Sequence, residues 1–413
     1  MSITGKDRTI IRDLAKQLAE IAAWPIMDEK RKLWRRLNSM ERVRPLVILE
    51  NCTWHETSWF IDRELKCESE EARLIEWTHR AAIWTYNNIK DDSVCQPTTY
   101  SWMAINDPGY GIAEHTTRVE HQMGAVRYNT NLSEDTSPDI IPTPNITVDW
   151  EETERRYQEQ CELYDGIFEV YKHGRGGGWF APMDMFVTWR GIEQTFMDMV
   201  ERPEFIHAWM DKLTSHVLLQ LDQCEKLNIM TLNHRGGTNG PGGLGFTDLL
   251  PQKDFDGIHV RTKDMWSHAT TQIFSEVSPA MHKEFALDYE ARYLSRFGLS
   301  NYGCCEPLDM KVDMVLEAIP NVRRMSMSPK ANLRRGAEAI GQRCIFSWKP
   351  NPTMLSMEGW DPKQTEGLLR EGFEATRNCV TEVIMKDLHN VRNEPHRMAE
   401  WTDIAMRLAE EYA

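Results

Sequence analysis

The chain of 413 residues has no run of eighteen apolar residues, so nothing in it reads as a membrane span. Its opening stretch, MSITGKDRTIIRDLAKQLAEIAAW, lacks the apolar core of an export signal and alternates charged with apolar residues at helical spacing. No C-x-x-C pair occurs, and the cysteines number nine, which is odd. A disulfide framework is therefore not expected, and a reducing, cytoplasmic compartment is. Positive charge is in deficit: 48 Lys and Arg face 63 Asp and Glu, for a net charge of −15. Such a surface repels nucleic acid on average, which argues against a nucleic-acid partner. A phosphate-binding fingerprint is missing too. The Gly-rich segment from Arg235 to Gly245 is not followed by Lys-Ser/Thr or by a clear dinucleotide-binding helix.

What is present fits an ordinary globular protein, with 41% hydrophobic and 27% charged residues. Ile10, Leu14, Leu18 and Ile21 share one helical face. Arg44 to Glu50 is a short apolar run behind a proline and predicts a buried strand, and 68–92 predicts a helix. Residues 93–185 are rich in turn formers and read as an irregular insertion near the mouth of the core. Strands are predicted at Met185–Trp189, Ile229–Leu232, Gln272–Glu276, Leu299–Cys305, Val322–Ser328, Cys344–Lys349 and Val380–Lys386. Between them lie amphipathic stretches at 191–227, broken near Pro203, and at 279–297, 309–318, 330–340, 362–377 and 396–412. Strand, polar loop and helix repeating in this way predict a parallel sheet. The expected fold is an α/β (β/α)₈ TIM barrel, one domain over 1–413, with a helical N-terminal part over 1–92 and the 93–185 insertion.

In such a barrel catalytic groups sit at the C-terminal ends of strands. Tyr302-Gly303-Cys304-Cys305-Glu306-Pro307 is the densest cluster there. Strand alternation predicts that only one of Cys304 and Cys305 faces the mouth, without saying which. A thiolate at that place suits zinc; equally, free cysteine is commonly a small buried apolar residue. Lys349 and Lys386 end two further strands and are candidates to bind or protonate a substrate oxygen, or to form salt bridges. His55 and Glu306 are further acid/base candidates. Trp54, Trp179, Trp348 and Tyr302 are candidates to stack on an aromatic substrate.

Phe274-Ser275-Glu276-Val277-Ser278-Pro279, Tyr302 to Pro307, Ser326 to Pro329, Trp348-Lys349-Pro350-Asn351-Pro352 and Lys386-Asp387 together resemble uroporphyrinogen-decarboxylase-like proteins of anaerobic bacteria. The resemblance covers most of the chain and is strongest over 185–410. The M-R-Q-A-G-R porphyrinogen motif and the C-terminal G-H-G segment of the true decarboxylases are absent. The resemblance therefore points to the branch that moves methyl groups to or from corrinoid cobalt. Glu276, Cys304 and Cys344 match the Asp-x₂₇-Cys-x₃₉-Cys pattern of some O-demethylase methyltransferases, with glutamate for aspartate. On that likeness they are the expected zinc ligands, with zinc as a Lewis acid on the leaving oxygen of a small methyl ether, expected to be aromatic. The expected partners are that methyl donor and a separate corrinoid protein, with a homodimer left open. The alternative is a metal-free decarboxylase of a carboxylated substrate.

Overall fold

A computed structural model describes residues 3–118 and 126–413; residues 119–125 of the expected insertion lie outside the described residues. The N-terminal part is helical. Helix α1 (Gly5–Ala22) starts where the Thr4 side chain accepts the Asp7 amide, which satisfies an otherwise orphaned donor. Helix α2 (Pro25–Asn38) has proline in its first turn, where a missing N–H costs nothing. Helix α3 (Glu70–Asn88) is capped by Ser69 and packs against α1.

The centre is a curled sheet of seven parallel strands with helices around it, an α/β fold of the TIM-barrel type. In chain order the strands are β1 (Leu46–Asn51), β2 (Trp179–Phe180), β3 (Trp266–Ala269), β4 (Leu299–Tyr302), β5 (Val322–Met327), β6 (Ile345–Trp348) and β7 (Thr381–Leu388). They are hydrogen-bonded in the order β1-β7-β6-β5-β4-β3-β2. Connecting helices include Pro203–Lys226, Asp288–Leu294, Leu333–Ile340, Pro362–Ala375 and His396–Glu411. Val383, Met385, Phe346 and Met325 pack outward into the main apolar core. The opposite set, His268, Asn301, Arg324, Ser347 and Glu382, is polar and buried. Period-two alternation sends these two sets to opposite sides of the sheet.

That polar interior is closed at the strand starts by the Gly-rich segment. Gly243 N donates to Glu382 Oε1 at 3.0 Å, and Arg324 donates to the Gly243 carbonyl at 2.7 Å. Asn38 Nδ2 donates to the Leu244 and Phe246 carbonyls at 2.8 Å each. A Cβ on Gly243 would stand 2.3 Å from the Trp34 ring, and one on Gly240, whose φ is +57°, would stand 2.4 Å from His268. Glycine is needed here for close approach.

Three expected strands differ. Met185–Trp189 lies within a helix, Pro182–Arg190, with proline in its first turn and Gly191 as its C-cap at φ +89°. Gln272–Glu276 is a 3₁₀ turn, because the Asp184 carboxylate accepts the Gln272 and Ile273 amides and turns the chain just beyond β3. Ile229–Leu232 contributes a single bridge, Met230 to Arg175. The irregular stretch also ends earlier than expected, since Trp179–Phe180 within it is a strand of the central sheet. Among the described residues no helix is long and apolar enough to cross a membrane.

Candidate functional site

Strand β4 ends at Tyr302, and Gly303 then takes φ +85°, a left-handed turn that a side chain resists. This breaks the alternation that would have sent the next two side chains apart. The Cys304 and Cys305 sulfurs instead lie 3.5 Å from each other. Glu306 is fully buried and holds the turn: it accepts the Cys304 amide at 3.0 Å, the Thr271 amide at 3.3 Å and the Thr270 hydroxyl at 2.7 Å. Ser326 on β5 donates to the Cys304 carbonyl at 3.0 Å.

The lysines come in from neighbouring strands. Lys386 near the end of β7 places Nζ 3.5 Å from Cys304 Sγ and 3.3 Å from Asp387 Oδ1. Asp387 sits at φ +57° and turns a carboxylate oxygen to within 3.9 Å of Cys305 Sγ. Lys349, just past β6, is buried and donates to Ser347 Oγ at 2.5 Å; Ser347 in turn donates to Glu382. Cys304, Cys305, Lys349, Lys386 and Asp387 line one cavity of about 320 Å³ together with Pro329, Lys330 and the 350–352 segment.

Burial pushes Lys349 down to about 8 despite the nearby Glu382 carboxylate, so it exchanges protons near neutrality. Lys386 resists the same burial, because Asp387 and the more readily ionised Cys305 favour its charged form, and its pKa is raised. The thiols behave as a pair. Cys305, accepting from Cys304, loses its proton more readily than an ordinary thiol, and Cys304 is held protonated by that hydrogen bond and by burial. His268 on β3 is buried beside this group. Burial, then the Lys349 and Lys386 charges, lower its pKa to about 3, so it is a neutral imidazole. Among the described residues neither of its ring nitrogens has a hydrogen-bond partner, and the half-exposed Trp179 ring stands 4.3 Å from it.

No family model and no curated protein matches the chain. A solved structure does: a methyltransferase from Methanosarcina mazei, with a TM-score of 0.52 and 10% identity, over 93% of this chain and 99% of that one. At that identity the likeness shows a shared fold.

The expected zinc ligands are not brought together. Cys344 precedes β6, whereas Lys349 follows it, a span of roughly 16 Å along an extended chain. Cys344 is fully buried at the strand starts, and burial pushes its thiol up to about 12. Glu276 is exposed on the turn after β3. Among the described residues no three His, Cys, Asp or Glu side chains form a group able to hold a metal ion. Where a cation would meet the Cys304 sulfur, the Lys386 ammonium already stands. The residues present therefore do not fit the zinc site that the resemblance implied.

Other candidates also fall elsewhere. Tyr302 points outward, donating to Glu290 Oε2 at 2.6 Å and lying 2.8 Å from His282 Nε2. Trp348 points outward onto Gly372, with Phe373 at 5.7 Å, and floors a separate cavity of about 600 Å³ bounded by Leu333, Met354, Met357 and Leu368. Trp54 packs with Trp77, Trp84 and Phe60, and His55 beside it is exposed. Of the candidates, Cys304, Lys349 and Lys386 line one cavity, Glu306 braces it, and Trp179 flanks His268. His268 was missed, because it lies in a strand too short to show a periodic signal. Asp387 was read only as part of the Lys386-Asp387 strand end, without a place in the site.

Proposed function

We propose that the chain removes a methyl group from a small methylated substrate at the barrel mouth and passes it to a corrinoid protein, using lysine cations rather than zinc to hold the leaving heteroatom. The observation that carries this reading is the meeting of Lys349, Lys386 and the cysteine pair in one cavity at adjacent strand ends. The fold shared with a methyltransferase supports it. A methyl ether is inert because its oxygen is a poor leaving group, so charge developing on that oxygen must be stabilised. Lys386 supplies a fixed positive charge. Lys349, with a pKa of about 8, supplies a proton to the departing oxygen near neutral pH. Trp179 offers a half-exposed aromatic face to the substrate ring. The corrinoid, when its carrier docks, supplies the nucleophile.

The test is incubation of the purified chain with aryl methyl ethers and a reduced corrinoid protein, following the absorbance of methylated cobalt, with and without prior chelation. Methylation that survives chelation supports the reading. Methylation abolished by chelation and restored by zinc would return the chemistry to a metal. The two lysines also suit a substrate carboxylate, which is the decarboxylase alternative; carbon dioxide release without any corrinoid protein would select it.

A further inference from the structure

The cysteine pair has a chemistry of its own that methyl transfer does not use. We propose that Cys304 and Cys305 form a site of reversible thiol–disulfide exchange with small disulfides, closing to a vicinal disulfide at the barrel mouth. Their sulfurs are 3.5 Å apart in the reduced chain, and both positions are held from behind: Gly303 sets the turn at φ +85°, Glu306 fixes the Cys304 amide, and Ser326 fixes the Cys304 carbonyl. Access is unequal. Cys305 is partly exposed on the cavity wall, whereas Cys304 is 3% exposed behind it. An incoming disulfide therefore meets Cys305 first, and the more readily ionised thiol is also Cys305.

The exchange balances without a further reagent. The Cys305 thiolate attacks one sulfur of the small disulfide; that S–S bond breaks, and a thiolate leaves with the electron pair. Cys304 then gives its proton to solvent, its thiolate steadied by the Lys386 ammonium, and attacks Cys305 Sγ to expel the second small thiolate. The protein dithiol loses two electrons and two protons, and the small disulfide becomes two thiols. Closure removes the thiolate facing Lys386 and Asp387 and so changes the charge of the cavity. This inference is independent of which substrate the cavity takes.

Trypsin cleavage after Arg296 and Lys311 leaves both sulfurs in one peptide, Phe297–Lys311, which contains no other cysteine. The full chain is equilibrated with mixtures of reduced and oxidised glutathione, quenched with acid, alkylated and digested. The expected result is a peptide lighter by two hydrogens and closed to alkylation, whose fraction rises with oxidised glutathione and disappears with dithiothreitol. Cys304→Ser is expected to trap glutathione on Cys305, and Cys305→Ser to abolish the closed peptide. A wild-type peptide that stays doubly alkylated, or a Cys305 bond to any cysteine other than Cys304, would overturn the proposal; neither outcome depends on a variant folding or on any activity.

Discussion

Lys349 is buried, and among the described residues its ammonium hydrogen-bonds to Ser347 alone, with the hydroxyl of that residue at 2.5 Å. Burial disfavours the charged form, so the folded chain holds this lysine near 8 while the unfolded chain holds it at its ordinary 10.5. The unfolded state therefore binds more protons between those values. The stabilising contribution is full above 10.5 and is lost as pH falls through about 8. Lys349→Met removes the penalty of a buried charge without removing bulk. The variant is expected to be more stable than wild type at neutral pH by about 1–3 kcal/mol, a gap that narrows as pH rises past 8, measured by urea unfolding. In the same variant kcat/KM should fall by about 10²-fold, and the limb of the pH–rate profile near 8 should vanish, if Lys349 is the proton donor. A surviving limb at that pH would remove Lys349 from that role.

At the scale of elements, the Gly-rich segment 235–245 and the strands it plugs depend on each other. Gly242 and Gly243 pass between Trp34, Arg324 and Glu382 with no room for a methyl group. Gly243→Ala is expected to destabilise the fold by about 1–3 kcal/mol through overpacking, with a lower urea midpoint and an unchanged slope. Gly237→Ala in the same loop meets no atom within 4 Å, but its φ of +72° is strained for alanine, so a smaller loss is expected. Strands β4 to β7 were legible because their outward residues, such as Met325, Phe346, Val383 and Met385, form apolar runs against the helices. Strand β3 was not, because in Trp266-Ser267-His268-Ala269 His268 faces the polar interior while Ser267 hydrogen-bonds Tyr293 on the opposite side, and the strand offers too short an apolar signal. Taking the next apolar run, 272–276, as the strand carried Glu276 into the expected site by mistake. Pro182 and Gly191 marked a helix around Met185–Trp189, and the apolar run there concealed it. The lysines at strand ends were readable from position alone. The approach of the two thiols was not, since it depends on one left-handed glycine.

Across the whole molecule, ionisable groups of both signs are buried around the strand ends, and they make stability depend on pH in opposing ways. Behind β3 and β4 runs a fully buried chain of hydrogen bonds. Lys311 donates to His282 Nδ1 at 2.9 Å, His282 Nε2 meets the Tyr302 hydroxyl, Tyr302 donates to Glu290, and Thr271 joins Glu290 at 2.7 Å. Burial, then the Lys311 charge, lower His282 to about 3; it stays neutral, consistent with Nδ1 accepting and Nε2 donating. Glu290 goes the other way: burial raises it from 4.5 to about 8, and the Tyr302 and Thr271 hydrogen bonds only partly offset this. A carboxyl raised in the folded state keeps a proton that the unfolded chain releases. Its contribution is full below about 4.5 and is lost as pH rises through about 8. Glu290→Gln copies the protonated form at nearly constant volume. It should match wild type near the acid end of this window and exceed it above pH 8 by about 2–4 kcal/mol in urea unfolding. Lys349 acts in the adjoining window with the opposite slope, so the two groups place a dip in the stability curve near pH 8. The double variant Glu290→Gln/Lys349→Met should flatten that dip additively if the groups, on separate faces of the sheet, do not interact. A dip that persists in the double variant would mean that other buried groups, and not these two, set the pH response of the barrel.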